Sequence, residues 1–233
     1  MANDEPEYLL HTYFRSSCSG RVRIALNLKE VPYDKAFVNV VKGEHKSEEY
    51  AKINPLGFVP ALQIRSGADA GKIITQSPAI MEYLEERHQD VRPLLPPSSD
   101  PGGRAHVRAL VSLIACDVQP VTNERILKKV ASMDGSDREW AKWLMTDGFA
   151  AYEKLAAPTA GRYSYGDQIT MADVCLVPAV WRSARFGVDI NQFPTMKRVF
   201  EAMSKEDAVI KAHWKSQEYH SPLHLPSYIE YVG

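Results

Sequence analysis

The feature that most constrains this chain is a change of pattern near residue 90. Up to that point short apolar segments alternate with helical ones in the order β-α-β-α-β-β-α, and beyond it only helical patterns recur. The first half predicts parallel strands joined by a helical crossover, and its last two strands predict a hairpin. We therefore expect an α/β domain over residues 1–90, a proline- and glycine-containing linker over 91–103, and an all-helical domain over 104–233.

The predicted elements follow from periodicity and from start and stop signals. In the first domain we expect strands over 8–14, 33–41, 61–64 and 72–75, and helices over 21–28, 46–53 and 77–88. In the second we expect helices over 100–118, continuing past Pro120 to 130, then from 137, over 171–186 and over 193–203. Ser77 is expected as the N-cap of its helix because Pro78 follows it.

Composition excludes several classes of protein. Charged residues make up 24% of the chain and the net charge is −1, so a disordered chain and a sequence-independent nucleic-acid binder are both disfavoured. No apolar run reaches the ~20 residues of a transmembrane helix. The beginning of the chain lacks the pattern of a secretory signal, and three distant cysteines predict a reducing cytoplasm. No metal site is expected, because Pro222 separates His220 from His224.

Three short motifs allow two interpretations each. Ser16–Ser19 precedes a helix, where hydroxyls either cap free amides or stabilise a thiolate near the positive helix end. Val59-Pro60 either marks the start of a strand or contains a cis proline that leaves backbone groups free for a peptide-like ligand. Gln76-Ser77 is either a cap or an anion site at a helix N-terminus.

Together the motifs are typical of one family. The segment 16–26 (SSCSGRVRIAL) closely resembles the signature of zeta-class glutathione transferases, the maleylacetoacetate isomerases. Further family motifs follow in the same order: Asn54-Pro55, Val59-Pro60, Gln76-Ser77, Gln119-Pro120 with Asn123, and 170–178 (TMADVCLVP). The resemblance covers residues from about 8 to about 205. It implies a thioredoxin-like N-terminal domain, an all-helical glutathione-transferase C-terminal domain, and a homodimer.

The resemblance also implies the residues of a glutathione site. The family's catalytic positions, which activate the cofactor thiol, fall on Ser16, Ser17 and Cys18. Glutathione would be bound by His45, Val59, Pro60, Gln76, Ser77, Gln119 and Asn123. The carboxylates of a small-molecule substrate would be bound by Arg15, Arg21 and Arg185.

Two positions depart from the family pattern. Gly20 stands where the family usually has tryptophan, and a glycine in the first turn of a helix costs roughly 0.5–1 kcal/mol relative to alanine. His45 stands where the family often has glutamine. A histidine here would make a hydrogen bond to a ligand carboxylate sensitive to pH.

The activity implied is the glutathione-dependent cis–trans isomerisation of maleylacetoacetate to fumarylacetoacetate in tyrosine and phenylalanine catabolism. Transfer of glutathione to small α-haloacids or other electrophiles would use the same thiolate. A general detoxifying glutathione transferase is one alternative. A non-catalytic scaffold on the same fold is a second, but a scaffold would be expected to lose the serines and the glutathione-binding pair that this chain retains.

Overall fold

A computed structural model describes residues 5–217 of the chain, so the predictions for His220 and His224 lie outside the described residues. The chain forms two compact units. The first contains the chain up to Pro93 together with Asp207–Gln217, and the second contains Leu94–Glu206. The first unit has a four-stranded sheet with helices and the second is helical, so the predicted α/β plus all-α fold class is confirmed.

The first unit is built on one mixed sheet. Its elements are β1 (Tyr8–Thr12), α1 (Ser17–Leu28), β2 (Tyr33–Phe37), α2 (Glu48–Ala51), β3 (Ala61–Ile64), β4 (Ile73–Thr75) and α3 (Ser77–Arg87). The strand order is β2-β1-β3-β4, with β1 parallel to β2, and β3 antiparallel to both β1 and β4. The helical crossover and the hairpin predicted from the sequence are therefore confirmed.

Several boundaries differ from the sequence-based expectations for physical reasons. Helix α1 begins at Ser17 rather than 21, because the Ser16 hydroxyl accepts a hydrogen bond from the Ser19 N–H. Strand β2 ends at Phe37, because the following chain turns where the Asn39 N–H donates to the Glu44 carboxylate. The helix expected over 46–53 is shorter, because Ser47 caps α2.

The second unit is helical. Its helices are α4 (Pro101–Ser112), α5 (Glu124–Ala131), α6 (Asp137–Ala156), α7 (Met171–Ser183) and α8 (Pro194–Met203). Leu113–Val118 continues α4 as a wider helical turn, and Pro120–Thr122 forms a 3-10 turn. Helix α7 runs through Pro178 and buries most of its residues, as its apolar sequence predicts.

A reciprocal cap fixes the start of α7. The buried Asp173 carboxylate accepts from the Thr170 N–H at 2.7 Å, from the Thr170 hydroxyl at 2.9 Å, and from the Ser164 N–H at 2.8 Å. The Thr170 side chain completes the capping box. Burial raises the pKa of the Asp173 carboxyl, and its hydrogen bonds oppose that rise.

The last helix, α9 (Asp207–Ala212), belongs to the first unit and packs on α1. The Asn27 side-chain amide donates to the Ala208 carbonyl at 3.0 Å. The sheet unit is thus made from two parts of the sequence that the whole of Leu94–Glu206 separates. No helix in residues 5–217 has both the length and the apolar character needed to span a bilayer.

A buried ion pair ties α1 to the end of α3. The Lys29 ammonium lies 2.7 Å from the Glu85 carboxylate, and their side chains are 0% and 8% exposed. Lys29 also donates to the carbonyls of His88, Val91 and Arg92, at 3.0, 3.2 and 3.4 Å. One cation therefore satisfies a buried carboxylate together with carbonyls beyond the C-terminus of α3.

Candidate functional site

The sheet brings four segments of the first unit to one edge. His11 is paired with Ala61, and Ala61 with Thr75, so the end of β1, the start of β3 and the end of β4 are neighbours. Thr12 is paired with Phe37, so β2 ends there as well. The segments adjoining these strand ends carry the residues predicted for the site in this unit: Arg15–Cys18 and Arg21, His45, Val59-Pro60, and Gln76-Ser77.

At the end of β1 the three predicted catalytic residues differ in what they contact. The Ser16 hydroxyl accepts from the Ser19 N–H at 3.1 Å, so it acts as the N-cap of α1. Ser17 and Cys18 lie in the first turn and are half-buried, and Cys18 is a free thiol. Within the described residues the Ser17 hydroxyl makes no hydrogen bond. The geometry therefore leaves Ser17 available at the positive end of a 12-residue helix.

The start of α3 has an unusual backbone. Gln76, and not Ser77, is its N-cap residue, and Gln76 adopts φ 70° and ψ 114°, a conformation that non-glycine residues rarely occupy. The prediction of Ser77 as the N-cap is therefore wrong: Ser77 is the first helical residue, and its hydroxyl accepts from Arg21 Nη1 at 3.2 Å. Strained backbone of this kind costs on the order of 1–3 kcal/mol and clusters at ligand sites.

Arg21 is almost completely buried, with 1% of its surface exposed. Its Nη1 reaches Ser77, whereas its Nε and Nη2 have no hydrogen-bond partner among residues 5–217. A buried guanidinium with unused N–H groups is costly unless an acceptor reaches it. Arg21 is therefore a buried cation that contacts the first residue of α3, and not an exposed surface cation.

The loop before β3 is held by two side chains to which the sequence analysis assigned no role, although Asn54 belongs to one of the family motifs. The Phe58 carbonyl accepts from the Asn54 side-chain amide at 2.7 Å and from the Tyr50 hydroxyl at 2.8 Å. The Val59–Pro60 peptide bond is cis, as one of the two interpretations expects. In the described part of the chain the Val59 N–H and carbonyl make no backbone hydrogen bond.

Close approach of two backbones fixes His45 beside this loop. Gly57 has φ +62°, and a Cβ there would stand 2.7 Å from the His45 carbonyl oxygen. Glycine at position 57 therefore permits a contact that another residue would break. His45 lies half-buried in the short 3-10 turn Glu44–Lys46, next to the 57–60 segment.

Arg23 is a site-supporting residue that the sequence pattern did not reveal. Its guanidinium is 1% exposed and donates to the Thr12 hydroxyl, to the Tyr13 and Phe14 carbonyls and to the Ala212 carbonyl. Tyr13 and Phe14 form the turn immediately before Arg15–Cys18. From sequence alone, a basic residue in a helix is expected to be exposed at the surface. The buried contacts of Arg23 are therefore evident only from the fold.

In the second unit, Gln119 and Asn123 flank the 3-10 turn before α5. Gln119 is half-buried, and the Asn123 side-chain carbonyl accepts from the Ile126 N–H at 3.0 Å as the N-cap of α5. The side-chain oxygen of Asn123 therefore caps the helix, while its side-chain NH₂ group is a separate hydrogen-bond donor.

Arg185 lies in an arginine pair on the same unit. Its Nη1 donates to the Glu124 carboxylate at 2.8 Å, and Arg182 approaches the same oxygen at 3.9 Å. Both guanidinium carbons lie 5.4 Å from the centre of the Phe186 ring. Arg185 already binds one carboxylate here and is 41% exposed on its side chain, so it can exchange that partner for a ligand carboxylate.

The class of protein is defined by both units. The sequence profile described as "Glutathione S-transferase, N-terminal domain" matches residues 15–87, and the one described as "Glutathione S-transferase, C-terminal domain" matches residues 139–207. The first covers most of the sheet unit and the second covers much of the helical unit. The fold is thus that of a glutathione S-transferase, a class of enzymes.

Comparison with individual relatives shows which class of glutathione S-transferase this chain belongs to. The chain is 53% identical to "Maleylacetoacetate isomerase maiA" of Aspergillus fumigatus over 91% of this chain and 92% of that protein. A solved bacterial maleyl pyruvate isomerase, described as a zeta-class glutathione S-transferase in its holo form, is 39% identical with a TM-score of 0.82, over 90% and 98% of the two chains. A maleylacetoacetate isomerase of Anaeromyxobacter dehalogenans, solved with glutathione in its active site, is 37% identical with a TM-score of 0.83, over 91% and 97%. The chain belongs to the zeta-class glutathione S-transferase family, the family of the maleylacetoacetate isomerases.

Proposed function

We propose that this protein uses glutathione to convert maleylacetoacetate into fumarylacetoacetate, a step in tyrosine and phenylalanine catabolism. The observation that carries the proposal is the placement of Ser17 and Ser77 in the first turns of α1 and α3 at the same edge of the sheet. The names of the relatives support the same reaction. We also propose that small α-haloacids are conjugated at this site, because the same thiolate attacks both kinds of carbon.

The residues present fit glutathione. The tripeptide has two carboxylates, an extended peptide backbone and a thiol. The N-terminus of α3, with Ser77 and the unused N–H groups of buried Arg21 behind it, suits the γ-glutamyl carboxylate. The open backbone groups of Val59 suit the cysteinyl peptide, beside Pro60. Gln76, His45, Gln119 and Asn123 complete the proposed set, with side-chain donors for the remaining polar groups.

The Ser17 hydroxyl is sufficient to stabilise a thiolate. A free thiol has a pKa near 8.5, and lowering it by about 2 units requires about 2.7 kcal/mol. One charge-assisted hydrogen bond supplies about 1.5–3 kcal/mol, and a helix N-terminus about 0.3–1 kcal/mol. Ser17 in the first turn of α1 offers both, so no protein base is needed. Ser16 supports this arrangement through its cap, and Cys18 is the other polarisable group in the same turn.

When bound, glutathione supplies a thiolate that adds to the conjugated cis double bond, so that rotation about the resulting single bond and loss of the thiolate give the trans isomer. The protein's own contribution is to hold the two substrate carboxylates and to stabilise negative charge on the substrate carbonyl. We assign the substrate carboxylates to Arg185 and Arg15, and we assign buried Arg21, which donates to Ser77, to the γ-glutamyl carboxylate of glutathione instead. A neutral pocket could not anchor such a diacid.

The test is incubation of the purified protein with maleylacetone, a stable analogue of the substrate, with and without glutathione. We expect cis-to-trans conversion by proton NMR only when glutathione is present, with no net consumption of glutathione. Conjugation of a haloacid without isomerisation would contradict the isomerase proposal and favour a general transferase. If glutathione bound with neither reaction, the scaffold alternative would replace both.

The negative charge of the substrate leads to a second prediction, which concerns its binding by Arg185. Replacing Arg185 with Leu removes one charged hydrogen bond to the substrate, and because this side chain is 41% exposed the loss is about 1 kcal/mol, or roughly fivefold in KM for maleylacetone. We expect kcat to change little. Steady-state kinetics with an uncharged aryl halide serve as the control. An equal loss with both substrates would mean that Arg185 acts only through the fold.

Two further proposals concern the protein as a whole. We propose a homodimer, as in the family, and sedimentation velocity tests it; a monomeric boundary would contradict it. We propose a cytoplasmic location, which agrees with the free thiols of Cys18, Cys116 and Cys175.

A further inference from the structure

We propose that Arg23 is a positioning residue for the reaction: its buried guanidinium holds the turn before Ser16–Cys18 in the shape that keeps Ser17 ready for the cofactor thiol. This inference rests on the proposed function for the role of Ser17. It concerns a residue that touches neither cofactor nor substrate.

The guanidinium makes several contacts on one turn. Arg23 Nη1 donates to the Thr12 hydroxyl at 3.0 Å and to the Tyr13 carbonyl at 3.4 Å, and Nη2 donates to the Phe14 carbonyl at 3.0 Å. The Tyr13 carbonyl also accepts from the Ser16 N–H at 3.0 Å. The planar fork of one arginine therefore fixes the chain from the end of β1 to the N-cap of α1.

The fourth contact reaches α9. Arg23 Nε donates at 3.0 Å to the carbonyl of Ala212, which is the last residue of α9. This contact occupies the third nitrogen of the guanidinium, so the orientation of the whole group is fixed. Asn27, one turn further along α1, donates to the Ala208 carbonyl of α9 and accepts from the Tyr33 hydroxyl. Among residues 5–217 its side chain makes no hydrogen bond to the 13–16 turn.

Packing alone does not account for a cation here. Within the described residues no carboxylate lies within salt-bridge distance of Arg23, and its burial lowers the pKa of the guanidinium to about 10. The side chain therefore remains charged at neutral pH in a place where an uncompensated charge is costly. An apolar side chain would fill the same volume without that cost, but it could not bind carbonyls. What Arg23 adds, and an apolar residue could not, is the set of hydrogen bonds to Thr12, Tyr13 and Phe14.

The test compares Arg23→Lys with Asn27→Ala. The lysine keeps the positive charge and cannot reproduce the fork, whereas Asn27→Ala weakens the same contact between α1 and α9 and leaves the turn untouched. Amide hydrogen exchange on the protein without glutathione reports on the peptide spanning 13–19. We expect exchange there to accelerate at least about tenfold in Arg23→Lys and to be unchanged in Asn27→Ala.

The second readout is the pH profile of maleylacetone isomerisation with glutathione. In Arg23→Lys we expect the limb that reports thiol ionisation to move to higher pH by about one unit, with kcat at neutral pH reduced about fivefold to tenfold. In Asn27→Ala we expect the profile of the parent protein. Thr12→Val removes a single acceptor from the turn, and it should show a smaller change in the same direction even if Arg23→Lys fails to fold.

The outcomes separate this inference from the proposed function. Unchanged exchange in Arg23→Lys, faster exchange without a shift of the pH profile, or equal effects in Asn27→Ala would each overturn the positioning role. A parent protein without glutathione-dependent turnover would refute the proposed function, whereas the exchange data would still decide whether Arg23 holds the turn.

Discussion

Replacing Ser17 with Ala should lower turnover roughly 10- to 100-fold at neutral pH while the fold is retained. The hydroxyl donates one charge-assisted hydrogen bond to the thiolate, and its loss costs about 1.5–3 kcal/mol, or about 1–2 pKa units of the cofactor thiol. The measurement is kcat/KM for maleylacetone against pH. The acidic limb should move to higher pH by about the same 1–2 units, so that much of the loss is recovered at high pH.

Two variants serve as controls for Ser17→Ala. Ser17→Thr retains a hydroxyl and should keep most of the turnover. Ser16→Ala removes the N-cap of α1, so we expect about 0.5–2 kcal/mol less stability with a smaller change in the pH profile. Unchanged turnover in Ser17→Ala would move the activating role to Ser16 or Cys18.

Replacing Lys29 with Met should lower the free energy of unfolding of the first unit by about 3–5 kcal/mol. The methionine fills similar space but removes the ammonium that contacts the largely buried Glu85 carboxylate, and it removes the donor from three carbonyls. Chemical denaturation followed by circular dichroism measures the loss. Hydrogen exchange of α1 and α3 amides assigns it to this unit.

The chain offers a matched control for the buried ion pair. Lys72 lies 2.6 Å from the Asp69 carboxylate, as close as the buried pair, but its side chain is 67% exposed. Lys72→Met should therefore change the unfolding free energy far less than Lys29→Met does, because water screens the exposed pair. Equal losses in the two lysine variants would contradict the argument from burial. Replacing Glu85 with Leu in the Lys29→Met background should restore part of the stability.

The order of elements was predictable because it depends on local signals. Alternating apolar segments, a proline before β2 and a short hairpin define the sheet unit, and the Thr170–Asp173 cap defines α7. The errors at the helix starts have one cause, since each depends on which residue takes the capping position. Ser16 and Ser47 cap helices, whereas Ser77 follows a strained Gln76 and binds Arg21 instead.

The supporting residues were not predictable because their roles depend on tertiary contacts. Arg23 lies in α1 and Lys29 directly follows this helix; the sequence pattern suggests exposed cations at both positions, but the fold buries both. Asn54 and Tyr50 hold the Phe58 carbonyl across a loop that has no periodicity. The sequence alone also gives no indication that α9 joins the sheet unit, because its short apolar pattern suits either unit.

The position of α9 in the sequence has a consequence for biosynthesis. Ala212 and Ala208 accept hydrogen bonds from α1, yet the ribosome adds them more than a hundred residues after Pro93. At 5–20 residues per second this delay is on the order of ten seconds. During that interval the nascent sheet unit has a buried arginine without one of its acceptors, although all its strands have emerged. The unit whose translation begins first therefore lacks one of its helices until Leu94–Glu206 has been synthesised, and a stop codon after Pro93 would leave it without that helix permanently.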